Sequence, residues 1–126
     1  MIRPTNAELA ILGVLWQRGP STVRDVHDAL RTARTEAVGY TTVLKLLQIM
    51  TEKGLVRRDE TARTHIYAPA STQDQTQRQM VTDLLDRVFD GSAAQLVMQA
   101  LAAKKTTPEE LAEIRKLLNK PRGDER

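Results

Sequence analysis

The sequence predicts a mainly α-helical chain with one small β-hairpin, in the order three helices, hairpin, three helices. Three observations predict it. Apolar residues recur at offsets of three, four and seven through the first 53 residues, the helical period. That period gives way after Gly54 to two short β-prone runs, and returns after Ser71. No internal repeat or low-complexity segment interrupts the pattern.

The first helix is announced by Thr5-Asn6-Ala7-Glu8. Thr5 can accept from the free amides of the first turn while Glu8 reaches back to the Thr5 amide, a capping box. Leu9, Leu12, Val14, Leu15 and Trp16 follow, dense enough for a helix buried on much of its surface, and Gly19-Pro20 ends it. Either Ser21 or Thr22 caps the second helix, whose Val23, Val26 and Leu30 share one face. Arg24, Asp25, His27 and Asp28 fall on the other, where His27 reads as a surface residue.

A polar connection over residues 31–39, with Arg31, Arg34 and Glu36, leads through Gly39 into a third helix from Tyr40 to Lys53. Val43, Leu46, Leu47 and Met50 make its core stripe, and Gly54 is its stop. Leu55–Asp59 and Thr64–Ala68 read as hairpin strands around a charged tip, closed by Pro69. The Gln-rich stretch from Ser71 to Gln79 suits a linker or a solvated helix start. Met80, Leu84, Leu85, Val88 and Phe89 define the next helix, up to Asp90-Gly91. Ser92 and Gln95 open another, carrying Leu96, Val97, Ala100 and Leu101. Thr107-Pro108-Glu109-Glu110 opens the last: a cap, a proline at the first helical position, then acids matching the helix dipole. Leu111, Ile114, Leu117 and Leu118 are its apolar stripe, before a polar tail from Pro121 to Arg126.

Three helices followed by a hairpin is the order of a winged helix-turn-helix, which lays its third helix in the DNA major groove and its hairpin, the wing, on flanking DNA. Removing the core stripe from helix three leaves Thr41, Leu44, Lys45 and Gln48 on one face, with no acid until Glu52. Hydroxyl, methyl, cation and amide suit base edges, thymine methyls and phosphates. Tyr40 and Thr42 adjoin this face, and Arg57, Arg58, Arg63 and His65 decorate the wing. Taken singly, each is an ordinary solvent-facing residue, and Arg57 and Arg58 suit pairing with Asp59 or Glu60. Their convergence is what points to DNA.

The charge distribution agrees. The 126 residues hold 19 Lys+Arg and 16 Asp+Glu, a net charge of +3. Residues 1–70 carry 10 basic and 7 acidic side chains and so the whole excess, while residues 71–126 carry 9 of each. The division suggests a DNA-binding domain over 1–70 and a helical dimerisation region over 71–126. The second part is too small for a robust core alone: pairing with another copy would bury its stripes, and folding back on the first part is the alternative.

Tyr40-Thr41-Thr42-Val43-Leu44, Glu52-Lys53-Gly54-Leu55-Val56, and Arg63 spaced before Tyr67 and Pro69 resemble the penicillinase-repressor family, as do Ala7-Glu8-Leu9 and Trp16. The similarity is specific over residues 5–70 and looser through Gly91 to the last helix. That family includes β-lactamase and methicillin-resistance repressors and copper-responsive repressors. The resemblance implies a cytoplasmic homodimer that binds a palindromic operator in double-stranded DNA and blocks transcription. Thr41, Thr42, Lys45 and Gln48 would inherit the major-groove role, and Arg63 with its wing neighbours the backbone contacts. Many relatives carry Arg where this chain has Ile49. The antibiotic-responsive branch also implies a membrane sensor-protease as partner. Those relatives are cut at an Asn-Phe bond in the dimerisation helix, where this chain has Gln99 and Ala100. Alanine offers such a protease little of the aromatic side chain's burial energy.

Other functions find less support. With no Cys and only His27 and His65 as imidazoles, disulfides, thiol chemistry, a His-rich metal site and the cysteine-dependent copper sensing of the third branch are excluded. Asp83, Asp86 and Asp90 share a helical face but lack a partner base or a phosphate loop, so catalysis is not expected and no cofactor is implied. The longest apolar run, Leu9 to Trp16, is too short to span a membrane and lacks a signal-peptide cleavage pattern, so direct membrane binding is not expected. A winged-helix module that contacts proteins instead of DNA is the rival reading, since an excess of +3 is small.

Overall fold

In the computed structural model, which describes residues 3–33 and 38–119, helix α1 spans Asn6–Arg18. Its capping box forms as the sequence spells it: the Glu8 amide donates to Thr5 Oγ1 and the Thr5 amide to Glu8 Oε1. Gly19 closes the helix at φ 90°, a conformation that only glycine adopts without strain. Helix α2 (Val23–Ala33) is capped by Thr22, which exchanges hydrogen bonds with Asp25. Of the two candidate caps, Ser21 is otherwise engaged: its backbone pairs with Tyr67 in an isolated bridge (2.9 and 2.8 Å).

Arg34 and Glu36 of the polar connection, and the tail from Pro121 to Arg126, lie outside the described residues. Helix α3 covers Tyr40–Lys53. It ends in a Schellman arrangement, the Leu55 amide reaching Met50 O and the Gly54 amide Thr51 O, with Gly54 left-handed at φ 81°. Strands β1 (Val56–Asp59) and β2 (Ile66–Pro69) pair antiparallel, Arg57 opposite Ala68 and Arg58 opposite Tyr67. Thr64 and His65 fall in the tip rather than the strand, and Pro69 is the last paired residue, opposite Val56.

Ile11, Leu12 and Leu15 of α1, Val23, Val26 and Leu30 of α2, and Val43, Leu47 and Met50 of α3 form one core, roofed by Val56 and Tyr67 of the hairpin. His27 is a correction to the sequence reading. It is buried, not a surface residue, and its Nδ1 lies 3.0 Å from Asp28 Oδ1.

The Gln-rich stretch is a helix start rather than a linker. Helix α4 (Gln73–Val88) is capped by a reciprocal Thr72–Gln75 pair, and Thr76 in its second turn is buried. Trp16 Nε1 donates to Ser71 O at 2.9 Å, fastening the approach to α4 onto α1. The first compact unit accordingly runs to Val81, past residue 70 where charge and composition divide the sequence.

The second unit begins at Thr82 and contains the end of α4, α5 (Ala93–Ala103) and α6 (Pro108–Asn119). Asp90 (φ 51°) and Gly91 (φ 80°) turn the chain out of α4. Ser92 caps α5 through the Gln95 amide, and Thr107 and Glu110 form the box of α6. No residue of α5 or α6 is buried. Val88, Met98, Leu117 and Leu118 are 61–75% exposed. No helix among the described residues is long and apolar enough to cross a membrane.

Candidate nucleic-acid interface

Helix α3 is held from behind. Val43, Leu47 and Met50 are wholly buried, so the helix cannot roll without opening the core. Its opposite side is thereby fixed outward: Thr41, Thr42, Lys45 and Gln48 are all exposed. Leu44 divides its surface between this face and the core, against which it packs half-buried. Ile49 is half-buried as well.

The far end of α3 is anchored electrostatically. Lys53 Nζ lies 2.9 and 3.0 Å from the two carboxylate oxygens of Glu8, itself only 2% exposed. Burial pushes the Glu8 carboxyl up, but the Thr5 amide, the Lys53 ammonium and the Thr5 hydroxyl together outweigh it and hold the group below its ordinary value. Sequence spacing gave the capping role of Glu8 and no hint of the ion pair, which joins residues 45 apart.

At the near end, Tyr40 is 41% exposed. The guanidinium carbon of Arg24 lies 5.0 Å from its ring centroid, within cation–π range. The His27 ring stands 6.0 Å away, tilted by 60°. Arg24, placed by the sequence merely on the polar face of α2, thus adjoins the start of α3. No local pattern could have signalled it, since the pairing depends on how the helices pack.

On the wing, Arg63 and His65 are exposed at the tip. Arg57 donates to Ala70 O at 3.2 Å, leaving the rest of its fork toward solvent. Arg58 is occupied: Nε donates to Glu60 at 2.6 Å, and the Tyr67 hydroxyl and Glu60 beside it raise the guanidinium pKa above its ordinary value. Asp59 is held by the Thr61 amide and hydroxyl, which lower its pKa. Among the described residues, no carboxylate pairs with Arg24, Lys45 or Arg63.

The sequence-predicted residues of the carboxy-terminal helices form a different surface. Leu84, Val88, Val97, Leu101, Leu117 and Leu118 are exposed, while Met80, Leu85, Phe89, Leu96, Leu111 and Ile114 are half-buried. Met80 lies in the first unit, beside Pro4, Leu12 and Leu55. Gln99 and Ala100 are exposed within α5. Asp83 is paired with Arg87 at 2.9 Å, and Asp90 lies beyond the helix in the turn. No group of three or more His, Asp or Glu among the described residues could hold a metal ion.

Residues 4–120 match the family profile described as penicillinase repressor. Among curated proteins, the chain is 35% identical over 99 residues to the transcriptional regulator BlaI of Mycobacterium tuberculosis, in both the CDC 1551 and H37Rv strains. That match covers 78% of this chain and 70% of the relative. Among solved structures, a chain of the hsRosR-S4 complex superposes with a TM-score of 0.54 at 19% identity, covering 87% of this chain and 91% of that one. A probable transcriptional regulator from Pseudomonas aeruginosa gives 0.46 at 18% identity, covering 90% and 75%.

Proposed function

The chain belongs to the penicillinase-repressor family of transcriptional regulators, and from that premise we propose a homodimeric repressor that binds a palindromic operator. It is not an enzyme. Helix α3 enters the major groove, with Thr41, Thr42 and Gln48 at base edges and phosphates and Lys45 on the backbone. The wing, residues 55–68, lies on flanking DNA through Arg57, Arg63 and His65. The observation that carries this reading is the fixed, acid-free outward face of α3, Thr41 to Gln48, backed by a wholly buried stripe.

Two copies pair through α4, α5 and α6. The support is energetic: a unit with no buried residue in α5 or α6 gains stability by covering exposed side chains such as Val88, Met98, Leu117 and Leu118. Dimerisation also supplies the two-fold symmetry that a palindrome mirrors. Cleavage by a sensor-protease is the branch's way of ending repression. With Ala100 in place of an aromatic residue, such a partner would need a different cut in this chain.

Salt dependence of duplex binding tests the DNA reading. A protein making several phosphate contacts loses affinity by orders of magnitude between about 50 and 200 mM salt. Salt-insensitive or undetectable duplex binding would overturn it in favour of a protein-binding module.

A further inference from the structure

We propose that Arg24 is a DNA-backbone clamp held in position by Tyr40, so that α2 grips a phosphate next to where α3 enters the groove. The inference rests on the DNA-binding reading above and adds to it a contact from a second helix. It also gives Tyr40 a positioning role in place of direct contact.

Three observations converge. First, Arg24 is exposed and its guanidinium carbon lies over the Tyr40 ring, 5.0 Å from the centroid. A stacked guanidinium keeps its in-plane N–H donors free, so the ring fixes the fork without consuming it. Second, the platform is itself fixed. The Tyr40 ring leans on His27, which is buried and tied to Asp28. Third, no described carboxylate forms an ion pair with Arg24, whereas Arg18, Arg58 and Arg87 each have an acidic partner.

A guanidinium held at the start of α3 fits an anionic group with two acceptor oxygens, which on duplex DNA is the phosphate. Preorganisation matters because a free arginine loses rotamer entropy on binding, and the ring contact reduces that loss. Clamping α2 and α3 to one strand would index the reading helix along the groove.

The test measures binding of the full-length protein to an operator fragment and to a random duplex, across a salt series, with four variants. Arg24→Ala should weaken both duplexes alike, about tenfold, and reduce the salt slope by about 0.9 for each Arg24 engaged. Arg24→Lys, which keeps the charge but not the planar stack, should retain the slope and recover only part of the affinity. Tyr40→Leu should lower affinity and slope although it removes no charge, and Tyr40→Phe should behave like the unmodified protein. Melting temperatures of the Arg24 variants should fall by no more than a few degrees, since that exposed side chain loses only its ring contact. The proposal is overturned by an Arg24→Ala protein with unaltered slope, or by a Tyr40→Leu protein that folds and keeps full affinity. Weakening confined to the operator would also overturn it, marking a base reader. Should the unmodified protein bind no duplex, the DNA reading itself fails along with this one.

Discussion

Lys53, the last residue of α3, places its ammonium within 3.0 Å of both carboxylate oxygens of Glu8 in the first turn of α1. The same carboxylate accepts the Thr5 amide at 2.8 Å. One buried side chain thus caps the first helix and pins the end of the helix proposed to read DNA. Lys53→Ala would leave Glu8 desolvated with only its capping bonds. It should cost about 2–3 kcal/mol in chemical denaturation. Glu8→Gln, which keeps an oxygen for the cap, should cost less.

The pair also sets an acid limit. Because the folded Glu8 carboxyl titrates below its ordinary value near 4.5, its contribution is fully present above that pH. It is lost as pH falls through the lower folded value and the carboxylate must protonate. Denaturation midpoints measured from pH 6 down to about pH 3 should therefore fall less steeply for Glu8→Gln than for the unmodified protein. Parallel curves would show that Glu8 carries no linkage.

Two glycines should respond to the same substitution with opposite sign. Gly54 adopts φ 81°, so Gly54→Ala should destabilise by about 1 kcal/mol. Gly13 lies inside α1, and a Cβ there would meet nothing within 4 Å. Gly13→Ala should stabilise by up to about 1 kcal/mol through helix propensity alone. Thermal denaturation of the two variants side by side checks both.

Much of this architecture was legible locally. Thr5, Ser92 and Thr107 each stand three residues before a Glu or Gln and accept its backbone amide. A cap is a short-range contact, so sequence spacing suffices to reveal it. The core stripes of α2 and α3 were legible for the same reason. What escaped depends on packing between distant segments. The Ser21–Tyr67 bridge involves one residue per side and leaves no alternation to read. His27 looked polar because its type is ambiguous, yet it is sealed beside Tyr40. Leu44 falls on the reading face by spacing, and helical geometry at a stripe's edge also packs it against the core.

Base reading and backbone holding should separate on α3. Lys45→Ala should weaken operator and random duplex alike and lower the salt slope, as a phosphate contact does. Gln48→Ala should cost roughly 1–3 kcal/mol on the operator and much less on random DNA. Equal losses on both duplexes would remove Gln48 from the base-reading set. Competition binding with scrambled duplex supplies the comparison.

Assembly should depend on the most exposed leucines. Leu117 and Leu118 are 69% and 75% exposed, and burying either fully is worth roughly 1.5–3 kcal/mol. Leu118→Glu in the full-length protein should shift sedimentation toward monomer while helical content by circular dichroism stays constant. Operator affinity should fall with it, because each half-site would then be bound alone. A dimer undisturbed by charges at both positions would place the pairing surface elsewhere.

The central claim, that paired α3 helices read an operator, is tested most directly by selecting bound genomic fragments with the purified protein and footprinting the enriched ones. The expected result is a shared palindrome whose half-sites lie a whole number of helical turns apart, about 10 base pairs or a multiple of it. Protection should be lost with Gln48→Ala and Lys45→Ala together. No enrichment over random fragments, or enriched fragments sharing only an unpaired single site, would contradict it.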